Sequence, residues 1–246
     1  MTFCGNLLLS SSIALLAIAI WFNSSEFKPL EYHFPPPPPL TGPLALFKPK
    51  ILEKLLEGKL VGPESIIHYI LVQWTGNGCE ALTRQSISYC GRPLGIRRRN
   101  DKQFVVADVV FGILGIDFEK GTVETLLSIT TPVNGVKMRF PDDFDFMDND
   151  TIVFSDASTR YGYLDFMLSF IEHGGDGRII KYKINSGETE VLIDGLDFPN
   201  GVQMHTDKKS FLFCESATAR IHRYYFAGEK KGRLELFIDN LPGFPR

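Results

Sequence analysis

One phrase recurs three times in the sequence, an apolar run that ends in an acidic residue: Phe104-Val105-Val106-Ala107-Asp108, Ile152-Val153-Phe154-Ser155-Asp156 and Phe211-Leu212-Phe213-Cys214-Glu215. The acidic ends are 48 and then 59 residues apart, and an extra stretch at 162–175 explains the larger step. Recurrence at a fixed interval is the sequence signature of a repeat architecture. The three phrases therefore predict three copies of one structural unit.

Each copy carries the other strands that such a unit needs. Two further strand-like runs follow every acidic end and are joined by a turn that contains glycine, which is typical of a β-hairpin. These pairs lie at 112–117 with 122–127, 177–182 with 189–193, and 220–226 with 233–238. Another strand precedes each phrase, as at 143–147 and 201–205. Four strands in about 50 residues predict an all-β fold, a run of β-propeller blades over 91–246.

The sequence before the repeat divides into two parts. Residues 1–24 contain the apolar segment 7–22, and residues 25–50 form a proline-rich linker with five consecutive prolines at 35–39. We expect the prolines to form an extended polyproline II spacer. The partial propeller is assigned to 51–246. Within it, 50–58 reads as a helix and 65–75 as two strands, so the stretch 61–90 is short for a blade.

The apolar segment is either an uncleaved signal anchor or a cleaved signal peptide. Its 16 residues span about 24 Å as a helix, short of a hydrocarbon core of about 30 Å, so spanning requires its flanks. Ala17-Ile18-Ala19 resembles a signal-peptidase site. We favour a single-pass membrane anchor with most of the chain lumenal or extracellular. The first basic residue, Lys28, lies on the wrong side for that orientation.

Composition excludes few functions beyond nucleic-acid binding. The net charge is -3, and 44% of the residues are hydrophobic and 22% charged, as in an ordinary globular protein. Arg97-Arg98-Arg99 is the only basic run, and we interpret it as a solvated turn, with a phosphate or membrane patch as the alternative.

A secretory route is indicated by the cysteines and by two glycosylation sequons. Cys79 and Cys90 flank a short polar loop and are the disulfide candidates, the alternative being two free thiols. The sequons are at Asn23 and Asn149, and Asn149 falls in a polar turn where a glycan has room to project.

Several phrases carry a family resemblance: Val-Gly-Pro-Glu-Ser-Ile at 61–66, Cys-Gly-Arg-Pro-Leu-Gly-Ile at 90–96, Phe-Pro-Asn-Gly-Val at 198–202, and Phe-Ile-Asp-Asn-Leu-Pro-Gly at 237–243. In this order they resemble the strictosidine synthase-like family, and most closely its animal adipocyte plasma membrane-associated group. The resemblance implies a six-bladed propeller after a short anchor, related to calcium-dependent lactonases and arylesterases. About four blades fit between residue 61 and residue 246, so we expect a propeller that lacks its last blades.

The resemblance also implies a Ca²⁺ site on the propeller axis, made of oxygen ligands from inner strands. Carried over by position, the ligands are Glu64, Asn200 and Asp142, where Asp142 replaces the usual asparagine of an Asn-Asp pair. Read without the family, Glu64 and Asn200 fit turns and Asp142 fits a solvated loop. A further ligand and the glutamate of strictosidine formation belong to blades beyond residue 246, so strictosidine synthesis is not expected.

Two functions remain open from the sequence. The first is a membrane-anchored hydrolase of small esters or lactones, with doubtful activity in this chain. The second is a non-catalytic, membrane-tethered interaction module. No catalytic residue is assigned. His68 is the histidine nearest to Glu64 in sequence, and His173, His205 and His222 are bases only in principle. Asp108, Asp156 and Glu215 are interpreted as structural groups that bond the backbone at blade ends.

Overall fold

A computed structural model describes residues 14–25, 30–31, 33, 66–67, 70–71, 79 and 83–246. Helix α1 spans residues 14–24, and β1 (Ile66–Ile67) pairs with β2 (Ile70–Leu71). Helix α2 (Ile87–Cys90) then leads into the repeat. The predicted helix at 50–58 and most of the predicted linker at 25–50 lie outside the described residues.

Three four-stranded antiparallel sheets follow, and we call them blades 1, 2 and 3. Blade 1 contains β3 (Pro93–Arg98), β4 (Gln103–Asp108), β5 (Gly112–Asp117) and β6 (Thr122–Ser128). A small hairpin, β7 (Pro132–Val133) and β8 (Val136–Lys137), separates it from blade 2. Blade 2 contains β9 (Pro141–Phe146), β10 (Thr151–Asp156), β11 (Gly177–Lys183) and β12 (Thr189–Leu196). Blade 3 contains β13 (Pro199–Met204), β14 (Ser210–Glu215), β15 (Arg220–Tyr225) and β16 (Leu234–Ile238).

The blade prediction is confirmed. Each sheet pairs its strands in sequence order, and the second strand of each ends at the predicted acidic residue, Asp108, Asp156 or Glu215. The first strands lie together, because β9 contacts both β3 and β13. This is the arrangement of a β-propeller, whose innermost strands surround a central axis. Of the short blade expected at 61–90, only the pair β1 and β2 is described.

The core lies between the blades rather than within one sheet. Alternate side chains of β10 point to opposite faces, so Ile152 and Phe154 pack toward blade 1 whereas Val153 packs toward blade 3. Every residue of β10 is buried, which explains why the recurring phrases are continuous apolar runs. The interface of blades 2 and 3 is completed by Val202, Phe211 and other apolar side chains.

Polar contacts join the inner strands, which belong to different sheets. Asp145 Oδ2 accepts hydrogen bonds from the Met204 N–H at 2.7 Å and from Gln203 Nε2 at 2.8 Å. Two residues earlier, Asp143 Oδ2 accepts the N–H of Val202 at 3.1 Å. The carboxylates of β9 therefore bond amide groups of β13, an edge strand that has no sheet neighbour on that side.

Arg97, Arg98 and Arg99 do not form the predicted solvated turn. Arg97 and Arg98 are the last residues of β3, and Arg97 Nη2 lies 3.1 Å from Asp143 Oδ2 on β9. Arg99 reaches across to blade 2, where its Nε donates to the backbone oxygen of Asn149 at 3.3 Å. The prediction was wrong because it used only the polar character of the run. In the structure, Arg97 and Arg99 bond a carboxylate and a carbonyl of blade 2 and so lie at the interface between blades 1 and 2.

The predicted sequence features at the N-terminal side have different outcomes. Cys79 and Cys90 form a disulfide with their Cα atoms 5.6 Å apart, whereas Cys214 is a free, buried thiol. Asn149 is exposed in the turn after β9, and Asn23 is exposed in α1, so both sequons stay predictions. Among the described residues, no helix has the length and apolar character needed to cross a membrane.

Gly95 allows the inner strands β3 and β9 to lie close together. A Cβ atom at this position would lie 2.7 Å from Asp143 Oδ1 and 2.9 Å from the backbone oxygen of Asp142. We expect Gly95→Ala to lower the free energy of unfolding by about 1–3 kcal/mol, since backbone atoms must move apart.

The matched control is Gly162→Ala, because a Cβ there meets nothing within 4 Å. It should leave stability unchanged or slightly higher. Urea denaturation measures both variants. Equal midpoints for the two would contradict a close approach at Gly95.

Candidate functional site

A cavity of about 270 Å³ lies where the first strands of the three blades meet. We call it the axial cavity. Its lining is contributed by all three blades, by the insertion in blade 2 and by residues after β16: Leu94, Phe140, Asp142, Tyr163, Phe166, Met167, Phe170, Phe198, Asn200, Ser216, Phe244 and Arg246. Two of the three predicted metal ligands, Asp142 and Asn200, therefore share one cavity.

The blades place Leu94, Asp142 and Asn200 at the same structural position. Each follows a proline that begins the first strand, and that proline pairs with Asp108, Asp156 or Glu215 at the end of the second strand. The register of the two strands shifts next to each of these pairs. Such irregularities redirect side chains out of the regular ladder. The repeat thus delivers one side chain per blade into the axial cavity.

The three acidic residues at the strand ends bond the backbone. Asp108 Oδ1 accepts the N–H groups of Val110 and Phe111, and Asp156 Oδ1 accepts that of Phe140 at 3.0 Å. Glu215 Oε1 accepts the N–H of Asp197 at 2.8 Å. Because they hold the segments that lead into or out of the cavity, they have the structural role predicted for them.

Many of the side chains that line the cavity are aromatic. Phe198 is at the centre of a group of rings, with its ring centroid 4.7 Å from that of Phe170, 5.9 Å from that of Phe166 and 5.2 Å from that of Phe140. Phe166 and Phe170 belong to helix α3 (Phe166–Glu172), which lies inside the extra stretch at 162–175. Residues four apart share a face of a helix, so both rings face the cavity.

Burial shifts the pKa of two groups that are close in sequence to the cavity lining, Asp143 and Cys214. It raises the pKa of Asp143, and the positive charge of Arg97 offsets only part of this effect. It also raises the pKa of the Cys214 thiol to about 11, with the carboxylates of Asp143 and Asp142 adding to the shift. Cys214 is therefore a neutral thiol at physiological pH and is unsuited to act as a nucleophile.

The remaining predicted site residues have two different outcomes. Glu64 and His68 lie outside the described residues. None of His173, His205 and His222 lines the axial cavity. Within the part of the chain that is described, no three His, Cys, Asp or Glu side chains are grouped to hold a metal. Asp142 and Asn200 together offer only one carboxylate and one amide.

Sequence reasoning missed Leu94, Ser216 and the aromatic side chains of the insertion. The signal for Leu94 was present, since Pro93, Pro141 and Pro199 begin equivalent strands. Ser216 follows Glu215 directly and is buried against the cavity. The insertion was recognised only as additional length between two repeats.

Comparison with known proteins identifies relatives of this chain. A family model described as strictosidine synthase matches residues 142–229. Adipocyte plasma membrane-associated protein from Rattus norvegicus is 36% identical over 264 aligned positions, which cover 97% of this chain and 70% of the relative. The human protein of the same name is also 36% identical, over 97% of this chain and 62% of the relative.

The chain belongs to this strictosidine synthase-like family.

A plant member, strictosidine synthase-like 3 of Arabidopsis thaliana, is 36% identical over 63% of this chain and 39% of its own length. Among solved structures, regucalcin from Agrobacterium tumefaciens, described as a calcium-binding protein, has a TM-score of 0.42 and 15% identity, and the match covers 60% of this chain and 45% of that one. This strictosidine synthase-like chain spans 62% of the human relative's length, so whole-protein properties of the relatives are proposals for it.

The Glu215 carboxylate next to the cavity provides a test by pH. Burial alone raises its pKa, but hydrogen bonds from His222, at 2.8 Å, and from the Asp197 N–H outweigh burial and lower it. A lowered pKa adds stability above the unfolded value near 4.5, and this stability is lost as pH falls through the folded pKa.

His222→Phe keeps a ring stacked on Phe213 but removes that hydrogen bond. We expect the free energy of unfolding of this variant to be about 1–3 kcal/mol lower than that of the unmodified chain at pH 7. The difference should be smaller near pH 4, where Glu215 is increasingly protonated. Urea unfolding from pH 4 to 7 measures the difference. In the Glu215→Gln background the loss of stability caused by His222→Phe should be clearly smaller, because the carboxylate partner has already been removed, and an equal loss in both backgrounds would contradict the assignment.

Proposed function

We propose that the chain is a calcium-dependent hydrolase of small esters or lactones whose site is the axial cavity. The observation that carries the proposal is that Asp142 and Asn200, from equivalent positions of blades 2 and 3, line the same cavity. Side chains delivered by separate blades to one axial point form a convergent polar group in an otherwise largely aromatic pocket, which is the usual composition of a small-molecule site.

The donors present are compatible with calcium. The Asp142 carboxylate and the Asn200 amide are hard oxygen ligands, which Ca²⁺ prefers, and Asp142 is only 6% exposed. Glu64, which the family resemblance matches to a glutamate ligand, completes the proposed set of metal ligands. When bound, calcium supplies polarisation of a carbonyl or phosphoryl oxygen and orientation of a nucleophile.

The chain's own residues would bind and shield the ligand. The aromatic side chains Phe166, Phe170 and Phe198 exclude water from one side of the cavity and contact the apolar part of an ester or lactone. Ser216 and Asn200 contribute polar atoms to the cavity lining, and an ester oxygen would lie near them. The site thus orients a molecule with one polar and one apolar end.

The location proposed for this activity is a membrane surface. The relatives are named as plasma membrane-associated proteins, and the apolar segment 7–22 together with the prolines at 35–39 suits an anchor followed by a spacer. In this proposal, the propeller lies on the lumenal or extracellular side, a location that the disulfide between Cys79 and Cys90 supports.

The test is hydrolysis of 2-naphthyl acetate with calcium or EDTA. We expect calcium-dependent turnover that falls by about 100-fold or more in Asp142→Ala and Asn200→Ala, because each removes a ligand. Asp148→Ala, in an exposed turn of the same blade, is the matched control and should retain turnover. Turnover indifferent to EDTA and to both cavity variants would refute the proposal, and no turnover at all would favour a non-catalytic interaction module.

A further inference from the structure

Helix α3 has little stability of its own. It has seven residues, and its N-cap residue, Asp165, makes no side-chain capping hydrogen bond. Isolated helices this short are marginal in water, so tertiary contacts must fix its conformation. The position of Phe166 and Phe170 at the axial cavity therefore depends on what holds the helix in place.

The strongest polar anchor of the helix is Glu172, which is 2% exposed. Tyr161 donates its hydroxyl hydrogen to Glu172 Oε2 at 2.6 Å, and Arg160 Nη1 lies 2.9 Å from Glu172 Oε1. Each carboxylate oxygen thus has its own partner. Burial, followed by the hydrogen bond to Glu172 and its negative charge, raises the pKa of Tyr161 to about 12, so the phenol keeps its proton at physiological pH.

The segment that carries Arg160 and Tyr161 is itself fixed to the blade. Asp176 Oδ2, just before β11, accepts hydrogen bonds from Ser158 Oγ at 2.6 Å and from the Arg160 N–H at 2.9 Å. The Tyr161 N–H donates to Ser158 Oγ at 2.8 Å. The two partners of Glu172 therefore start from a rigid strand end rather than from a loose loop.

We propose that Glu172 is a positioning residue of the axial site: held by Tyr161 and Arg160, it fixes α3 so that Phe166 and Phe170 form the outer wall of the cavity. Loss of either partner leaves a buried carboxylate incompletely compensated, and the helix relieves this by moving the charge toward water. Phe166 and Phe170 move with it. The inference rests on the proposed function only in treating the axial cavity as a ligand site.

The experiment measures binding of 2-naphthol to the full chain by the fluorescence of the probe, at temperatures where every variant is folded. We expect Tyr161→Phe and Glu172→Gln each to weaken binding about tenfold, the effect of losing one hydrogen bond to a charged group. Chymotrypsin should cleave at Phe166 and Phe170 faster in both. Adding Tyr161→Phe to Glu172→Ala should cause no further loss of binding, because the two residues act through one contact.

Matched controls exist in blades 2 and 3. Tyr225→Phe removes a tyrosine-to-glutamate hydrogen bond of 3.0 Å to Glu235, and Glu188→Gln neutralises an exposed partner of Lys183. Both should bind 2-naphthol like the unmodified chain. If Tyr161→Phe and Glu172→Gln match these controls in binding and in cleavage, or if the unmodified chain does not bind the probe, the inference is overturned.

The outcome separates this inference from the proposed function. One possible result is that Tyr161→Phe weakens binding of 2-naphthol while EDTA does not change hydrolysis of 2-naphthyl acetate. This result supports the positioning role and refutes the calcium-dependent hydrolase. Calcium-dependent hydrolysis whose KM is unchanged in Tyr161→Phe refutes the positioning role and leaves the hydrolase standing. Where both hold, the loss falls on KM rather than on kcat, because α3 carries none of the proposed metal ligands.

Discussion

The carboxylate of Asp143 is the point at which the three inner strands meet. Its Oδ2 atom lies 3.1 Å from Arg97 of β3 and accepts the N–H of Val202 of β13 at 3.1 Å. Its Oδ1 atom faces Gly95, and among the described residues no group hydrogen-bonds to it. One side chain on β9 therefore fixes the spacing of strands that belong to three different sheets, where no backbone ladder is available to do so.

This arrangement has an energetic cost that the rest of the structure must offset. Burial raises the pKa of Asp143, so its ionised form is stabilised only while Arg97 and the Val202 amide stay in place. Removing one partner of a fully buried pair typically costs about 3–5 kcal/mol, and the cost is smaller here because the side chains of Arg97 and Asp143 are 28% and 19% exposed. The interblade packing of Phe154, Val153 and their neighbours holds the partners together. Asp143 thus makes the blade positions interdependent, whereas packing alone would tolerate small shifts.

Sequence predicted the repeating parts of this molecule well and its long-range contacts poorly. The second strands ending at Asp108, Asp156 and Glu215 were evident because strands buried on both faces read as uninterrupted apolar runs. Helix α3 was not, since only Ser169 interrupts the short apolar run from Phe166 to Ile171, and so short a run shows no clear helical periodicity. The meeting of Asp142 with Asn200 was predicted from family resemblance alone. The role of Asp143 depends on Arg97, which is 46 positions earlier, and on Val202, which is 59 positions later. No local sequence pattern predicts such distant contacts.

The chemistry of the axial cavity depends on the residue that precedes Asp143. The residue that precedes Asp143 lies at the irregular start of β9, and its side chain lines the axial cavity. That residue is Asp142, and the repeat places Asn200 and Leu94 beside it. Blades 2 and 3 therefore contribute polar side chains, whereas blade 1 contributes an apolar one and the insertion contributes aromatic rings. The cavity therefore combines polar and apolar side chains, and this combination favours a ligand with a polar head and an apolar body over a uniformly charged one.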